Sequence, residues 1–223
     1  KSNDRSLMRY KSGYQTQNIN THYDWSNWGQ FTDAVEMCNN NGACRKLDSG
    51  VMCPSYRVTK EEKDLVRGRA NTLRLALSNQ LPEGSFASKE MYETMELCVS
   101  CKACQRECPM SVDMAKMKSE FLSHYYKKFS MPIKDRITSD MPRLIWLIKI
   151  IAPILNKIKN LPLVSNIIKK FGFAVERTMP EVQNQNILKE IYNSQTYSEK
   201  KVILFADTFN INFDSLKNLL DFL

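Results

Sequence analysis

The sequence has no apolar run long enough to cross a bilayer. Its best stretch, Leu144 to Leu155, is short and carries Lys149 and Pro153, whereas a spanning helix needs about 20 apolar residues. The opening residues, Lys1 to Arg9, hold no apolar segment of the kind that marks a secretory leader. No G-x-G-x-x-G or other phosphate-cradling loop is present, which argues against a dinucleotide site built from this chain. Internal repeats and low-complexity tracts are also missing. With only two histidines, His22 and His124, both are read as structural rather than catalytic. The cysteine count is seven, an odd number that cannot pair off completely into disulfides. A reducing, cytoplasmic compartment is therefore expected, where clustered cysteines signal metal or redox chemistry.

What is present describes a globular chain. Its 223 residues are 43% hydrophobic and 25% charged, enough for a core and unlike a disordered tail. It begins at Lys1 and ends at Leu223 in mid-pattern, and the expectation is a piece of a longer polypeptide. The net charge of +8 is partly local: Arg143 to Arg177 holds seven Lys/Arg and one acid, Glu176. No nucleic-acid motif accompanies this basic segment, so nucleic acid is not expected as a partner. Residues 142–172, basic and apolar together, are a candidate for peripheral contact with the inner membrane surface. Core helices with snorkelling lysines are the simpler reading.

The pattern predicts a mostly α fold. Residues 1–30, with Tyr10, Tyr14, Tyr23, Trp25 and Trp28, read as an irregular arm packing on something else. A short helix is expected over 31–37, and a loop with three cysteines over 38–57. Thr59 and Glu62 have capping-box spacing, which predicts a helix from Lys60 to Ser78. Leu65, Leu73 and Leu77 share its apolar arc, Arg67 and Arg74 lie opposite, and Arg69 falls inside the arc. Leu81-Pro82-Glu83-Gly84 breaks the chain. Ser88 caps the next helix, which runs into Cys98. Asp113 opens another that ends near Phe129, before Met131-Pro132. Two apolar helices follow within 142–172, split by Leu161-Pro162. Residues 179–200 read as a linker. Val202 to Ala206 then reads as a strand and Asp214 to Phe222 as a helix, the first β–α unit of a truncated α/β domain.

The cysteines carry the chemistry. Cys98, Cys101, Cys104 and Cys108, followed by Pro109, form C-x2-C-x2-C-x3-C-P, the ferredoxin-type run whose fourth cysteine serves the other cluster in two-cluster proteins. Pro109 fixes φ and lacks an N–H, which sets the exit of the chain. The earlier block has Cys38, Cys44 and Cys53-Pro54. On the same template Asn41 stands where the middle cysteine would be. Crossed wiring gives one complete set, Cys53, Cys98, Cys101 and Cys104, expected to hold a 4Fe-4S cluster. It leaves an incomplete set, Cys38, Cys44 and Cys108. That set holds a 3Fe-4S cluster, or a 4Fe-4S cluster with Asn41 or solvent on one iron, or nothing. Zinc sites usually pair two CxxC knuckles, which three cysteines at every third position fit poorly. Arg45, Lys46, Lys102 and Arg106 flank the cysteines and read either as charges that raise a cluster potential or as solvated surface.

The stretches CNNNGACRKLDSGVMCPSYRVTKEEKDLVRGRANTLRLAL and LCVSCKACQRECPMSVDMAKMKSEFL resemble the iron–sulfur region of large FAD-linked D-2-hydroxyacid dehydrogenases. That group takes in fused D-2-hydroxyglutarate dehydrogenases, D-lactate dehydrogenases and glycolate oxidase iron–sulfur subunits. The resemblance covers residues 8–130 well and 142–210 more loosely, including Asp24-Trp25-Ser26 and Asp207-Thr208-Phe209-Asn210. It implies an α-helical ferredoxin-type domain over 31–178, with the arm against an upstream flavin domain and a cysteine-rich α/β domain starting at 201–223. It also implies FAD outside this chain, with electrons passing from reduced flavin through the cluster to a quinone or a soluble carrier. The flavin domain and the later cysteine pairs of that pattern are missing here, so no catalytic residue is assigned to this chain. Two other readings remain open: a separate iron–sulfur subunit of a quinone-linked dehydrogenase (glycerol-3-phosphate or glycolate type), and a zinc-stabilised interaction domain.

Overall fold

The structure is a computed structural model that describes residues 10, 13–174, 176, 180–183 and 207–213. The chain divides into two compact units, Lys1–Ser130 and Met131–Leu223, each taken by itself below. The division falls inside the stretch that the sequence assigns to one domain.

The first unit is helical: α1 (Phe31–Glu36), α2 (Pro54–Thr59), α3 (Val66–Leu77), α4 (Lys89–Glu96), α5 (Ala103–Glu107) and α6 (Met114–Lys128). Short 3-10 turns at Ser26–Trp28, Ala43–Arg45, Glu62–Asp64 and Ser85–Ala87 connect them. Two starts follow from side-chain capping, which satisfies an N–H that no helical carbonyl can reach. The Ser88 hydroxyl accepts from the Met91 N–H at 3.2 Å, and the Asp113 carboxylate accepts from the Lys116 N–H at 3.0 Å.

The expected helix over Lys60–Ser78 is divided. Thr59 ends α2 instead of capping α3: its hydroxyl donates back to the Ser55 carbonyl, and Lys60 turns the chain in the left-handed region at φ 60°. Glu62 opens a 3-10 turn and pairs with Arg67 at 2.5 Å, so the capping-box acid is used elsewhere. The helix then starts at Val66, and Gly68 allows it to close on that turn, since a methyl at Gly68 would overlap the Glu62 carbonyl.

The core is built on α3. Leu65, Leu73 and Leu77 are buried with Phe31, Val35, Met91, Met95, Met117 and Phe121, each contributing roughly 1.5–3 kcal/mol by leaving water. Arg69 and Arg74 are buried as well. For Arg74 this corrects the expected outward face: it lies against the Tyr14 hydroxyl, which the arm brings over α3. The arm itself packs on this unit. The Gln17 N–H donates to the Leu77 carbonyl at 2.7 Å, and Trp25 is buried against Phe31. Glu120 of α6, fully buried, accepts from the His22 N–H at 2.9 Å and from the Tyr23 N–H and Trp25 Nε1–H at 3.0 Å.

The second unit contains α7 (Ile133–Ile158), α8 (Pro162–Lys170) and α9 (Thr208–Asn212). Pro142 and Pro153 lie inside α7 and Pro162 sits in the first turn of α8, where a missing N–H costs nothing. Asn156 fastens the neighbouring strap by pairing with both the N–H and the carbonyl of Val182. The simpler reading of 142–172 as core helices does not hold. Of α7 only Ala152 is buried, and Trp146, Ile150 and Leu163 are more than half exposed. No helix among the described residues is long and apolar enough to cross a membrane. The expected strand Val202 to Ala206 and helix Asp214 to Phe222 lie outside the described residues, as does most of the expected linker.

Candidate metal centre

Cys53, Cys98, Cys101 and Cys104 line one cavity. Three local structures deliver them. Cys53 is the extended residue that precedes α2, with Pro54 in its first turn. Cys98 leaves the end of α4, its N–H bonded to the Met95 carbonyl. Lys118 of α6 reaches over to donate to the Glu96 and Cys98 carbonyls at 3.1 and 2.6 Å. From there the chain wraps the cavity, with Ser100 and Lys102 in the left-handed region, until Cys104 falls within α5. Glu107, at the end of α5, accepts from the Val51 and Met52 N–H groups at 2.9 and 3.0 Å. This ties the stretch before Cys53 to the helix that carries Cys104.

The wall is apolar apart from a few groups. Met52, Val99 and Met114 contribute to it, with Arg69 and Lys102 as the cations. The N-termini of two helices lie near the sulfurs: the Val66 N–H of α3 favours the Cys53 thiolate, and the Met114 and Ala115 N–H groups of α6 favour that of Cys104. N–H groups and dipole ends of this sense favour anionic sulfur. Burial pushes the Cys53 thiol up to about 11 and the nearby Cys104 and Cys98 add to this, against the Arg69 guanidinium and the Val66 N–H. Burial likewise raises Cys104. Cys101 is exposed, so the cavity opens at that corner. Among the described residues no three His, Cys, Asp or Glu side chains converge as donors to a single ion. The four thiols surround a volume instead, a donor set suited to a soft polynuclear cluster.

The remaining cysteines are placed as follows. Cys38, just beyond α1, and Cys44, in the turn Ala43–Arg45, are both buried. Burial raises the Cys44 thiol, the Arg67 N–H opposes this, and the proximity of Cys38 raises it further. The Arg67 guanidinium acts on both sulfurs. Cys108 ends α5, half-buried against the same core. Asn41 is exposed, and its side-chain oxygen accepts from the Ala43 N–H at 2.8 Å. The amide beside Cys38 is Asn40, whose oxygen lies 3.8 Å from the sulfur and accepts from Asn71 at 2.7 Å. Template spacing points to Asn41. The signal for Asn40 would have been the tolerance of asparagine for the left-handed region, where Asn40 sits at φ 65°.

Two of the four flanking cations have local partners. Lys102 lies 3.7 Å from Asp113 and Arg45 lies 3.9 Å from Glu62. His124 contacts Glu120 at 3.4 Å, and Tyr125 stacks on Tyr92 at 4.7 Å, which makes both part of the packing of α6.

Residues 34–112 match the family described as 4Fe-4S dicluster domain, which supports an iron–sulfur region in this part of the chain. Among curated proteins the chain is similar to D-2-hydroxyglutarate dehydrogenase of Pseudomonas putida, 25% identical over 84% of this chain and 23% of the relative. The enzyme of the same name from Escherichia coli K12 is 26% identical over 83% of the chain and 23% of the relative. That from Pantoea ananatis is 28% identical over 46% of the chain and 13% of the relative. The chain resembles the iron–sulfur region of D-2-hydroxyacid dehydrogenases, and spans about a quarter of the length of the first two relatives (23%). No solved structure matches it.

Proposed function

We propose that the chain is the electron-transfer portion of an FAD-dependent D-2-hydroxyacid dehydrogenase, with a 4Fe-4S cluster held by Cys53, Cys98, Cys101 and Cys104. The observation that carries this is the meeting of the proline-flanked Cys53 with the later triplet around one apolar cavity. Such a cluster supplies one-electron transfer, which a two-electron hydroxyacid oxidation at a flavin requires in order to feed a one-electron carrier. The chain's own part is to hold four thiolates at fixed spacing, to exclude water with Met52, Val99 and Met114, and to leave one open corner at Cys101 for exchange with a partner. Cys38, Cys44 and Cys108 are proposed as ligands of a second cluster, with the Arg67 charge offsetting its anionic sulfur. Flavin, substrate site and acceptor belong to partners in this reading: a flavin domain of the same polypeptide or of a companion subunit, and a quinone or soluble carrier. The outward apolar side chains of α7 and α8, flanked by Lys149, Lys157, Lys169 and Lys170, are proposed as the surface for peripheral membrane contact.

Anaerobic purification followed by iron, sulfide and zinc analysis, with EPR before and after dithionite, tests the reading. Iron and sulfide in equal amounts are expected, with a reduced-state signal that Cys53→Ser diminishes strongly. A 3Fe-4S signal in the oxidised sample would mark the second set as occupied. Stoichiometric zinc without sulfide would refute the proposal.

A further inference from the structure

Arg69 is a buried cation that the cysteine pattern alone does not require. It is 0% exposed, sits on α3 and lines the four-cysteine cavity. Its guanidinium joins three segments: Nη1 donates to the Asp64 carbonyl at 2.7 Å, Nη1 and Nη2 to the Ser55 hydroxyl at 3.2 Å, and Nε to the Thr94 carbonyl at 2.9 Å. Ser55 lies just beyond Cys53, and Thr94 lies one helical turn before Cys98. One side chain thus fastens the two separate stretches that supply the cavity's sulfurs. Its charge partner, the Asp64 carboxylate, is 1% exposed and 3.7 Å away. Neither carboxylate oxygen has a hydrogen bond among the described residues.

A buried ion pair is weak evidence for stability, because a well-packed apolar pair can serve as well. The orientation of this pair is what matters. Arg69 forms part of the cavity wall and Asp64 does not, so the cationic residue is the member of the pair that borders the sulfurs. Adding one electron to a group held there adds one negative charge, with no bond made and no proton moved. A fixed, desolvated cation favours that state, and charge and burial are among the levers that set iron–sulfur potentials.

We infer that Arg69 is a positioning residue with two tasks: it clamps the Cys53 segment to the helix that delivers Cys98, and it holds a fixed positive charge against the four-sulfur cavity so that one-electron reduction there is favoured. This rests on the 4Fe-4S assignment above, and the test separates the two. Iron and sulfide analysis of the wild-type full chain comes first; a failure there removes the cluster assignment and this inference with it, whereas a failure in the titration that follows removes the inference alone. EPR-monitored redox titration with dithionite is then run on iron-loaded wild type, Asp64→Asn, and the double variant Arg69→Met/Asp64→Asn. Leaving Arg69 unopposed in Asp64→Asn shifts the reduction equilibrium at least fivefold toward the reduced state, about 40 mV at 59 mV per tenfold for one electron. Removing both charges shifts it at least fivefold the other way. Arg69→Lys keeps the wild-type potential within fivefold but releases iron faster to a chelator, since an ammonium cannot span the three anchors. Shifts under fivefold in Asp64→Asn, or in the same direction in both variants, overturn the inference. If the double variant retains no iron, Asp64→Asn alone decides.

Discussion

Replacing Glu120 by glutamine should unlatch the aromatic arm from α6. In the wild type one carboxylate oxygen accepts from the His22 N–H at 2.9 Å, and the other accepts from the Tyr23 N–H and the Trp25 indole at 3.0 Å. A glutamine can offer one oxygen to this set and must turn its own NH2 toward at least one donor. One charge-assisted bond is lost, at roughly 1.5–3 kcal/mol, and those that remain become neutral bonds of about 1 kcal/mol each. The expected loss is about 3 kcal/mol, or on the order of 10 °C in melting temperature for a unit of this size. The sign with pH follows from the carboxyl itself. Burial raises its pKa, but hydrogen bonds from Trp25, His22 and Tyr23 and the charge of His124 outweigh this, and the net direction is down. The stabilisation is therefore complete above the unfolded value of about 4.3 and is lost as pH falls through the lower folded value. Urea denaturation at several pH values, read by tryptophan fluorescence, gives both quantities, because Trp25 and Trp28 both lie in the arm. A Glu120→Gln variant within about 0.5 kcal/mol of wild type at pH 7, or a gap between the two proteins that does not narrow in acid, would refute the reasoning.

Gly68→Ala should destabilise by more than about 2 kcal/mol, against the gain of roughly 0.5–1 kcal/mol that this exchange gives in an ordinary helix interior. The added methyl would overlap the Glu62 carbonyl, and chemical denaturation reads the sign directly. In metal-free, reduced protein, iodoacetamide should label exposed Cys101 well before buried Cys53 and Cys104. Mass spectrometry of early time points checks the order, and equal rates would mean that the cavity is open on all sides.

One feature of the cysteine arrangement was legible in the sequence. The cysteine spacing pairs Cys53 with the later triplet, and the structure brings these four together. Ser88 and Asp113 were legible as caps because an N-cap is a local device, set by one side chain and an N–H three residues on. Thr59 and Glu62 have the same spacing, yet competing partners, Ser55 for the threonine and Arg67 for the glutamate, end one helix and delay the next. Arg69 and Arg74 were least legible. Periodicity assigns a residue to a face, but whether a cation on that face is buried depends on carbonyls and hydroxyls that distant segments bring to it. The same holds for Asn40, whose contact with Cys38 depends on a backbone reversal and on Asn71. The apolar segment 142–172 misled in the opposite sense: hydrophobic content suggested core, while α7 and α8 keep many of these side chains outward.

The division of the four-sulfur site between distant parts of the chain also fixes when it can exist during synthesis. Cys53 leaves the ribosome 45 residues ahead of Cys98, which at roughly 5–20 residues per second is an interval of about 2–9 s. Through that interval the earlier thiols have no partners and no cavity. A cluster held by all four sulfurs can therefore be completed only after the second block has emerged.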